Sequence, residues 1–378
     1  MKKYVIPVLC FFLMPFISSK LFANESACEW MDEAIEKDFA PFSSGITLEM
    51  IDKVASQWYR YGRFKIINNQ VFGPPSATYN LLGFLCTKYE IPDVEFIFLL
   101  EDGFIHEPTN GQRNPSTALD GPVFGSTKCD EFTHVLHFAD WKFDPSKSQP
   151  QYASQSYDWA YSSILVEEYS QSIPWSEKKP MAMWRGGLQG GYDYSPKNFF
   201  NTPRGMACLL SSQRPDIIDA GTNWGGDHPV VAKLITPDFE PRRNFEPIAH
   251  QMAYKYQINI DGHTSTYPGL QWRLLSNCTV LKQETENKMW YFYALKPWVH
   301  YVPLKEDLSD LVEKVEWCIN NDDLAYQIAM EGRKFAQENL LPEHCLLYCY
   351  KALKKYAELQ RFTPQLEKGQ RRRFIKGR

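Results

Sequence analysis

Short apolar runs that alternate with helical patterns constrain the fold of this chain more than any other feature. Val94–Leu100 is apolar at every position except Glu95, which is typical of a strand buried on both faces of a sheet. Similar runs occur at Met181–Trp184, Tyr256–Ile260, Cys278–Lys282 and His300–Pro303. Helical patterns fall between and after these runs, at 203–211, 246–254, 269–276, 308–319, 321–338 and 343–360. This alternation predicts α/β layers with parallel strands.

Two helices are predicted before the first strand, at residues 28–40 and 46–60. Thr47 is placed to cap the second of these helices, with Ile51 and Val54 on its apolar face.

The amino-terminal segment has the pattern of an export signal. Lys2 and Lys3 precede an uncharged apolar stretch at 4–18, and Ala23 offers a small residue for cleavage. We therefore expect residues 1–23 to be a signal peptide that directs the chain through the secretory pathway, to a periplasm, the endoplasmic-reticulum lumen or the exterior. An uncleaved membrane anchor is the alternative, although a span needs about 20 apolar residues. We expect no membrane span in the mature chain.

Charge and cysteine usage narrow the class of protein. With 41 Lys+Arg against 45 Asp+Glu, the formal net charge is −4, whereas nucleic-acid binders are strongly basic. Of the nine cysteines, all but Cys10 follow the signal segment. In an oxidising compartment some of them should pair. The alternative for Cys86, Cys208 and Cys318, which lie in apolar runs, is that they are buried free thiols.

Several motifs are absent from the sequence. It contains no GxxxxGK[ST], no strand-linked GxGxxG, no HExxH and no GxSxG, which disfavours P-loop, dinucleotide, zinc-peptidase and α/β-hydrolase chemistry. No DxD follows an apolar strand either, so we expect no metal. A diphosphate bound here would have to be neutralised by protein cations and backbone N–H groups.

Three predicted strand ends carry groups suited to transfer of a sugar from a diphosphate, since open α/β sheets bind ligands beyond the carboxyl ends of their strands. Asp102 is a candidate general base, or else part of an Asp-Gly turn. Arg185 opens a glycine-rich loop that suits a diphosphate, or else is a structural arginine paired with a carboxylate. Asp261–Tyr267 offers hydroxyls and backbone donors ahead of Arg273 at a helix start, or else is an ordinary turn.

The chain from Tyr256 to Leu359 closely resembles glycosyltransferase family 90, which includes Rumi-type protein O-glucosyltransferases, KDEL-motif-containing proteins and bacterial lipopolysaccharide-modifying relatives. The matching strings are KYQINIDG (255–262), VLKQ (280–283), LKPWVHYVPLKEDLSDLVEKVEW (295–317) and NDDLAYQIAMEGRKFA (321–336). Upstream, the segments that resemble the family are CEWMDEAIEKDFAPFSSGIT (28–47), DVEFIFLLEDGF (93–104), MWRG (183–186) and Arg204 ahead of a helix that ends in RPDIIDA (214–220).

The resemblance implies an α/β fold of GT-B type, with two facing Rossmann-like domains. We place an acceptor-side domain at 24–176, a UDP-sugar-binding domain at 177–342, a helix that packs back on the first domain at 343–362, and a basic tail at 363–378. The resemblance also implies a disulfide between Cys28 and Cys349.

The activity that the resemblance implies is inverting, metal-independent transfer of glucose, xylose or a related sugar from a UDP-sugar to a hydroxyl of a protein or glycan, such as lipopolysaccharide. Asp102 would be the catalytic base. The donor-binding residues would be Arg185, Gly186, Arg204, Asp261, Gly262, His263, Thr264, Ser265, Thr266, Tyr267 and Arg273.

Three departures from the family pattern leave the donor sugar open. One is Pro180, which stands near where a donor-contacting serine is expected. Tyr267-Pro268-Gly269 stands where relatives have an arginine after the aromatic residue, and Arg273 is expected to replace that cation. Glu101 stands where Rumi-type proteins have an arginine. The alternative function is a catalytically inactive sugar- or glycan-binding relative; an exported solute-binding protein is disfavoured by the string at 295–317. We expect a monomer.

Overall fold

Two five-stranded sheets follow one another along the part of the chain that the computed structural model describes. That part comprises residues 29–57, 61–100, 121–139, 159–188, 194–222, 233–237, 239–244, 246–262, 264–266 and 268–366. The two sheets, flanked by helices, confirm the predicted α/β class.

The first sheet is mixed, because a hairpin forms one of its edges. The chain turns at Asn68 and Asn69, whose φ angles of 49° and 58° suit a two-residue hairpin loop. The order is β2-β1-β3-β4-β6, with β1 antiparallel to β2 and β3, and with β3, β4 and β6 mutually parallel. These strands are β1 (Tyr61–Ile67), β2 (Gln70–Phe72), β3 (Val94–Leu99), β4 (Val123–Gly125) and β6 (Val135–His137). β3 is buried throughout, as its apolar run predicts.

The helices around the first sheet are α1 (Glu29–Phe39), α2 (Leu48–Ala55), α3 (Ala77–Lys88) and α4 (Trp159–Ser172). The predicted cap is confirmed, since the Met50 backbone N–H donates to Thr47 Oγ1 at 3.3 Å. The predicted helix at 46–60 is too long, because α2 ends at Ala55.

The second sheet is parallel throughout and has the order β12-β10-β9-β7-β8. Its strands are β7 (Lys179–Gly186), β8 (Ile218–Thr222), β9 (Tyr254–Asn259), β10 (Thr279–Gln283) and β12 (Val302–Leu304). The predicted helix ending in RPDIIDA is corrected here. It ends at Gln213, and Ile218 begins β8, because this apolar segment pairs with β7 at the edge of the sheet.

Helices and a two-stranded link complete the described fold. The helices are α5 (Pro203–Gln213), α6 (Ile248–Gln251), α7 (Pro268–Leu275), α8 (Leu311–Asn320), α9 (Asp322–Asn339) and α10 (Pro342–Leu359). β5 (Thr127–Lys128) pairs with β11 (Lys288–Met289), which joins the two halves of the chain by backbone hydrogen bonds. α10 returns to the first sheet, where it contacts α1, α4 and β3.

The buried apolar side chains of the described residues form two clusters. One fills the first sheet and its helices and continues to α7, so the two halves share buried surface. The other lies between the second sheet and helices α5 and α8. Among the described residues, no helix is both long and apolar enough to cross a membrane.

Candidate functional site

The order of the second sheet selects one edge as a candidate ligand site. The chain runs from β7 outward to β8 and then returns to the other side of β7 to form β9. The neighbouring strands β7 and β9 therefore send their following loops in opposite directions, which opens a crevice at their carboxyl ends. The segment after Gly186 and the segment that begins at Asp261 meet at this crevice.

Arg204 connects these two segments. It lies in the first turn of α5, where the Thr202 side chain accepts a hydrogen bond from the Gly205 backbone N–H at 3.1 Å. The buried Arg204 guanidinium donates to the Asp261 carbonyl from Nη2 at 2.8 Å and from Nε at 3.1 Å, and to the Gly187 carbonyl. Arg204 thus fixes the walls of the crevice through backbone carbonyls.

The Asp261 carboxylate is buried and accepts hydrogen bonds from neutral donors. Its Oδ2 accepts from Thr285 Oγ1 at 2.6 Å and from Asn287 Nδ2 at 3.1 Å, and its backbone N–H donates to Gln283 Oε1 at 2.9 Å. Burial raises the pKa of this carboxyl, against the opposing effect of these hydrogen bonds. The contacts tie the loop after β9 to the loop after β10.

The loop that follows carries three hydroxyl residues just before α7, and two of them, Thr264 and Ser265, are buried. The Gly262 backbone N–H donates to the Thr264 carbonyl at 3.1 Å, which closes a tight turn. Ser265 Oγ lies 3.1 Å from Thr127 Oγ1 of β5, so this loop also contacts the first half of the chain. Thr266 Oγ1 is buried and has no hydrogen-bond partner among the described residues.

Arg273 is a buried cation on α7 that has no carboxylate partner among the residues described. Its Nη1 donates to the Gly269 carbonyl at 2.9 Å, whereas its Nε is buried with no acceptor in that set. Burial, together with the nearby charge of Arg204, lowers the pKa of Arg273 to about 9. The sequence pattern predicted this cation, but only the folded chain shows that its neighbours are the Trp272 ring and a backbone carbonyl, with no carboxylate among the described residues.

Arg185, by contrast, is paired with a carboxylate. Its guanidinium bonds to Asp219 Oδ1 and to the Asp219 carbonyl, both at 2.8 Å, and to the Trp184 carbonyl at 2.9 Å. In the strand register Arg185 is paired with Gly221 of β8, and Asp219 lies two residues before Gly221. The Arg185 side chain therefore points back along the sheet. Gly186 ends β7 opposite Thr222. These contacts match the structural alternative for Arg185.

Four of the predicted site residues lie outside the described part of the chain. They are Cys28, Asp102, His263 and Tyr267. Cys349 is buried in α10. The disulfide with Cys28 and the catalytic role of Asp102 therefore stay predictions. The described residues also contain no group of three or more His, Cys, Asp and Glu side chains placed to hold a metal ion.

A buried ionic cluster was missed by the sequence reasoning. Asp38 of α1 accepts hydrogen bonds from Lys128 Nζ at 2.7 Å, from the His137 backbone N–H at 3.0 Å and from Tyr293 Oη at 3.1 Å, and its Oδ2 lies 2.8 Å from His137 Nδ1. The sequence contains a sign of this cluster, because Asp38 lies on the same helical face as the apolar residues Met31 and Ile35. An acid on such a face requires buried partners.

Comparison with known proteins gives a consistent family assignment. The family model for Glycosyl transferase family 90 matches residues 23–374. Human Protein O-glucosyltransferase 3 is 28% identical over 362 residues, which cover 91% of this chain and 64% of that protein. O-glucosyltransferase rumi of Drosophila melanogaster is 26% identical over 361 residues, which cover 91% of this chain and 80% of the fly protein. The chain thus spans less than two thirds of the length of the human relative.

Solved structures give a more distant likeness. Anabaena Alr3699/HepE in complex with UDP has a TM-score of 0.40 at 12% identity, covering 75% of this chain and 77% of that one. This likeness is too low to carry an argument.

Proposed function

The chain belongs to glycosyl transferase family 90, and we propose that it transfers glucose, or a related sugar, from a UDP-sugar to a hydroxyl group of a protein or glycan acceptor. Its human and fly relatives are both named O-glucosyltransferases, which supports the reaction class. The UDP-sugar donor follows from the resemblance of the strings at 255–262 and 295–317.

The observation that carries the proposal is the buried charge of Arg273, which has no carboxylate partner among the described residues. Its guanidinium instead lies 4.4 Å from the centroid of the Trp272 ring and donates to the Gly269 carbonyl. Desolvation of an isolated ion costs several kcal/mol, and such a group is retained where it meets an anion. Arg273 lies in the last turn of α7 and not at the helix start, as the sequence had suggested, but its Nη1 reaches back to the Gly269 carbonyl in the first turn. That first turn follows the crevice loop 261–266, and helix N-termini attract phosphate. A diphosphate bound there would neutralise Arg273 and accept hydrogen bonds from the loop.

The proposed reaction is a single displacement. Asp102 removes the proton from the acceptor hydroxyl, whose oxygen attacks the anomeric carbon of the donor sugar. The bond between that carbon and the UDP oxygen breaks, and its electron pair stays on the β-phosphate. Arg273 and backbone N–H groups of 264–266 stabilise this charge. Inversion and independence of metal belong to the proposal. Such preorganised contacts contribute about 10²–10³ in rate each.

The further assignments made from the sequence stand with this proposal. They are an exported chain with a signal peptide at 1–23, a Cys28–Cys349 disulfide, the domain boundaries given above, and donor contacts from Gly186, Gly262, His263, Thr264, Ser265, Thr266 and Tyr267.

The test is UDP release from UDP-glucose and UDP-xylose with EDTA present, for the wild type and Asp102→Asn, each also assayed for UDP binding by calorimetry. We expect release from one donor by the wild type, at least about 10²-fold slower release by the variant, and equal UDP affinity in both. Equal release by the two proteins would remove Asp102 from the mechanism. Absence of UDP binding by the wild type would overturn the proposed function. It would favour the alternative function, a catalytically inactive protein that binds a glycan.

A further inference from the structure

A second cavity lies beside the crevice, where the two halves of the chain meet. Its volume is about 200 Å³, and its wall includes Lys37 of α1, Asp130 after β5, and side chains between Lys282 and Tyr301. Pockets that hold whole drug-sized ligands measure about 300–1,000 Å³. This cavity therefore suits one sugar ring and is too small for a complete nucleotide sugar.

Aromatic rings form one wall of the cavity and are held rigidly. The wall consists of Phe292, Tyr293 and Tyr301. The Tyr293 hydroxyl donates to the buried Asp38 carboxylate at 3.1 Å, and its ring meets the His137 ring edge to face at a centroid distance of 5.8 Å. A fixed aromatic face presents an apolar plane to the C–H face of a pyranose at little entropic cost.

Two lysines at the cavity have no carboxylate partner among the described residues. Lys37 Nζ lies 5.0 Å from the Tyr293 ring centroid, and Lys288 Nζ donates to the Thr285 carbonyl at 3.3 Å. Lys282, in contrast, is compensated, because its Nζ donates to Glu284 Oε1 at 3.0 Å. Asp130 supplies the remaining acid, so the five charged side chains of the wall sum to one positive charge.

Thr285 links the cavity to the crevice. Its carbonyl accepts a hydrogen bond from Lys288, which lines the cavity, and its hydroxyl donates to Asp261 of the crevice loop at 2.6 Å. Thr285 would therefore separate a sugar in the cavity from the loop that the proposed function assigns to the donor.

We propose that this cavity binds an acidic sugar unit of the acceptor glycan, with the ring against Tyr293 and the acidic group between Lys37 and Lys288. The inference rests on the proposed function and names its acceptor class as an anionic glycan. A neutral sugar would leave both lysines unpaired, whereas a charge-assisted pair with a carboxylate favours the acidic one.

The experiment uses the full chain and saturation-transfer NMR with D-glucuronic acid, D-glucose and inorganic phosphate as probes, while UDP binding is measured separately by calorimetry. The variant is Lys37→Gln/Lys288→Gln. The matched control is Lys351→Gln/Lys355→Gln, which removes two lysines of α10 that pair with Asp32 and Glu36.

We expect D-glucuronic acid to bind at least about tenfold more tightly than D-glucose, and this preference to disappear only in the Lys37/Lys288 variant. UDP affinity should be the same in all three proteins. No binding of D-glucuronic acid by a protein that binds UDP would overturn the inference and leave the proposed function intact. Equal binding of the two sugars would make the cavity a neutral-sugar site, and displacement by phosphate alone would make it a simple anion site; both results overturn it.

Discussion

At the scale of single residues, two buried arginines differ in whether a carboxylate pairs with the guanidinium. Arg333 of α9 pairs with Glu167 and donates to the Leu275 carbonyl at 3.1 Å. Arg273 of α7 has neither an acidic partner nor an acceptor for its Nε among the described residues. The first charge serves the fold, and the second is held at an energetic cost that an anionic ligand would relieve.

Replacement of Arg273 by methionine should separate binding from stability. Arg273→Met removes a buried charge but keeps the volume of the side chain, so the free energy of unfolding of the ligand-free protein should stay equal or rise. UDP affinity should fall by about 10- to 100-fold, since a charged hydrogen bond contributes about 1.5–3 kcal/mol. Urea unfolding and calorimetry measure the two effects.

Arg333→Met is the matched control for this substitution. It leaves Glu167 without its cation and should lower the free energy of unfolding by about 1–3 kcal/mol, with UDP affinity unchanged. If Arg273→Met destabilises the protein as much as Arg333→Met while UDP affinity is retained, Arg273 is a structural residue and the diphosphate site is misplaced.

At the scale of elements, the start of α5 sets the position of Arg204. Gly205 is the residue after it, and a Cβ there would lie 1.8 Å from the Phe199 carbonyl oxygen. This oxygen also accepts the Thr202 hydroxyl at 2.7 Å, so the preceding turn packs directly on the helix start. A side chain at position 205 would have to displace backbone, and Arg204 would lose its alignment with the Asp261 carbonyl.

Gly205→Ala should therefore lower the free energy of unfolding by about 2–3 kcal/mol, at the upper end of the cost of overpacking. UDP affinity should fall as well, because the crevice walls separate. The control is Ser212→Ala on the exposed side of the same helix, which we expect to change stability by less than about 0.5 kcal/mol. Urea unfolding with UDP calorimetry tests both variants, and unchanged stability of Gly205→Ala would contradict the close contact.

At the scale of the whole molecule, the Asp38 cluster joins the two halves. Asp38 lies on α1 and Lys128 on β5, whereas Tyr293 follows β11 in the second half of the chain. His137 Nδ1 faces the Asp38 carboxylate, and its Nε2 faces the Lys288 carbonyl at 3.0 Å. The His137 ring is therefore held between Asp38 of the first half and the Lys288 backbone of the second half.

Acid should weaken this connection. Burial alone would raise the pKa of Asp38, but the His137 and Lys128 charges and hydrogen bonds hold it well below the usual range. A lowered native-state pKa adds stability that is complete above the unfolded pKa of about 3.9 and is lost as the pH falls below that value. Asp38→Asn should cost about 3 kcal/mol at pH 7, because it leaves the buried Lys128 ammonium without its carboxylate partner.

The pH dependence distinguishes the charge of Asp38 from simple packing. The difference in unfolding free energy between the wild type and Asp38→Asn should shrink as the pH falls from about 4 to 2. Urea unfolding across that range measures it. Parallel pH curves for the two proteins would show that the Asp38 charge contributes nothing.

The sequence predicted long elements better than short ones. β3, β7 and β9 have apolar runs that local patterning detects, and Thr47 caps α2 where its spacing indicates. β4 and β6 have three residues each, which is too few to show a periodic pattern of apolar residues. Their burial comes from neighbouring strands that are distant in sequence. β8 was assigned to a helix because its strand character arises only from pairing with β7.

The sequence by itself determined the α/β class, the family and the set of candidate charged residues, because burial periodicity and motif spacing act over a few neighbouring positions. The tertiary structure decided which of those charges are paired. Arg185 meets Asp219 through strand pairing, Arg273 meets no carboxylate among the described residues, and Asp38 meets Tyr293 from the other half of the chain. Electrostatic partners depend on the order of strands and on burial, which emerge only when distant segments pack together.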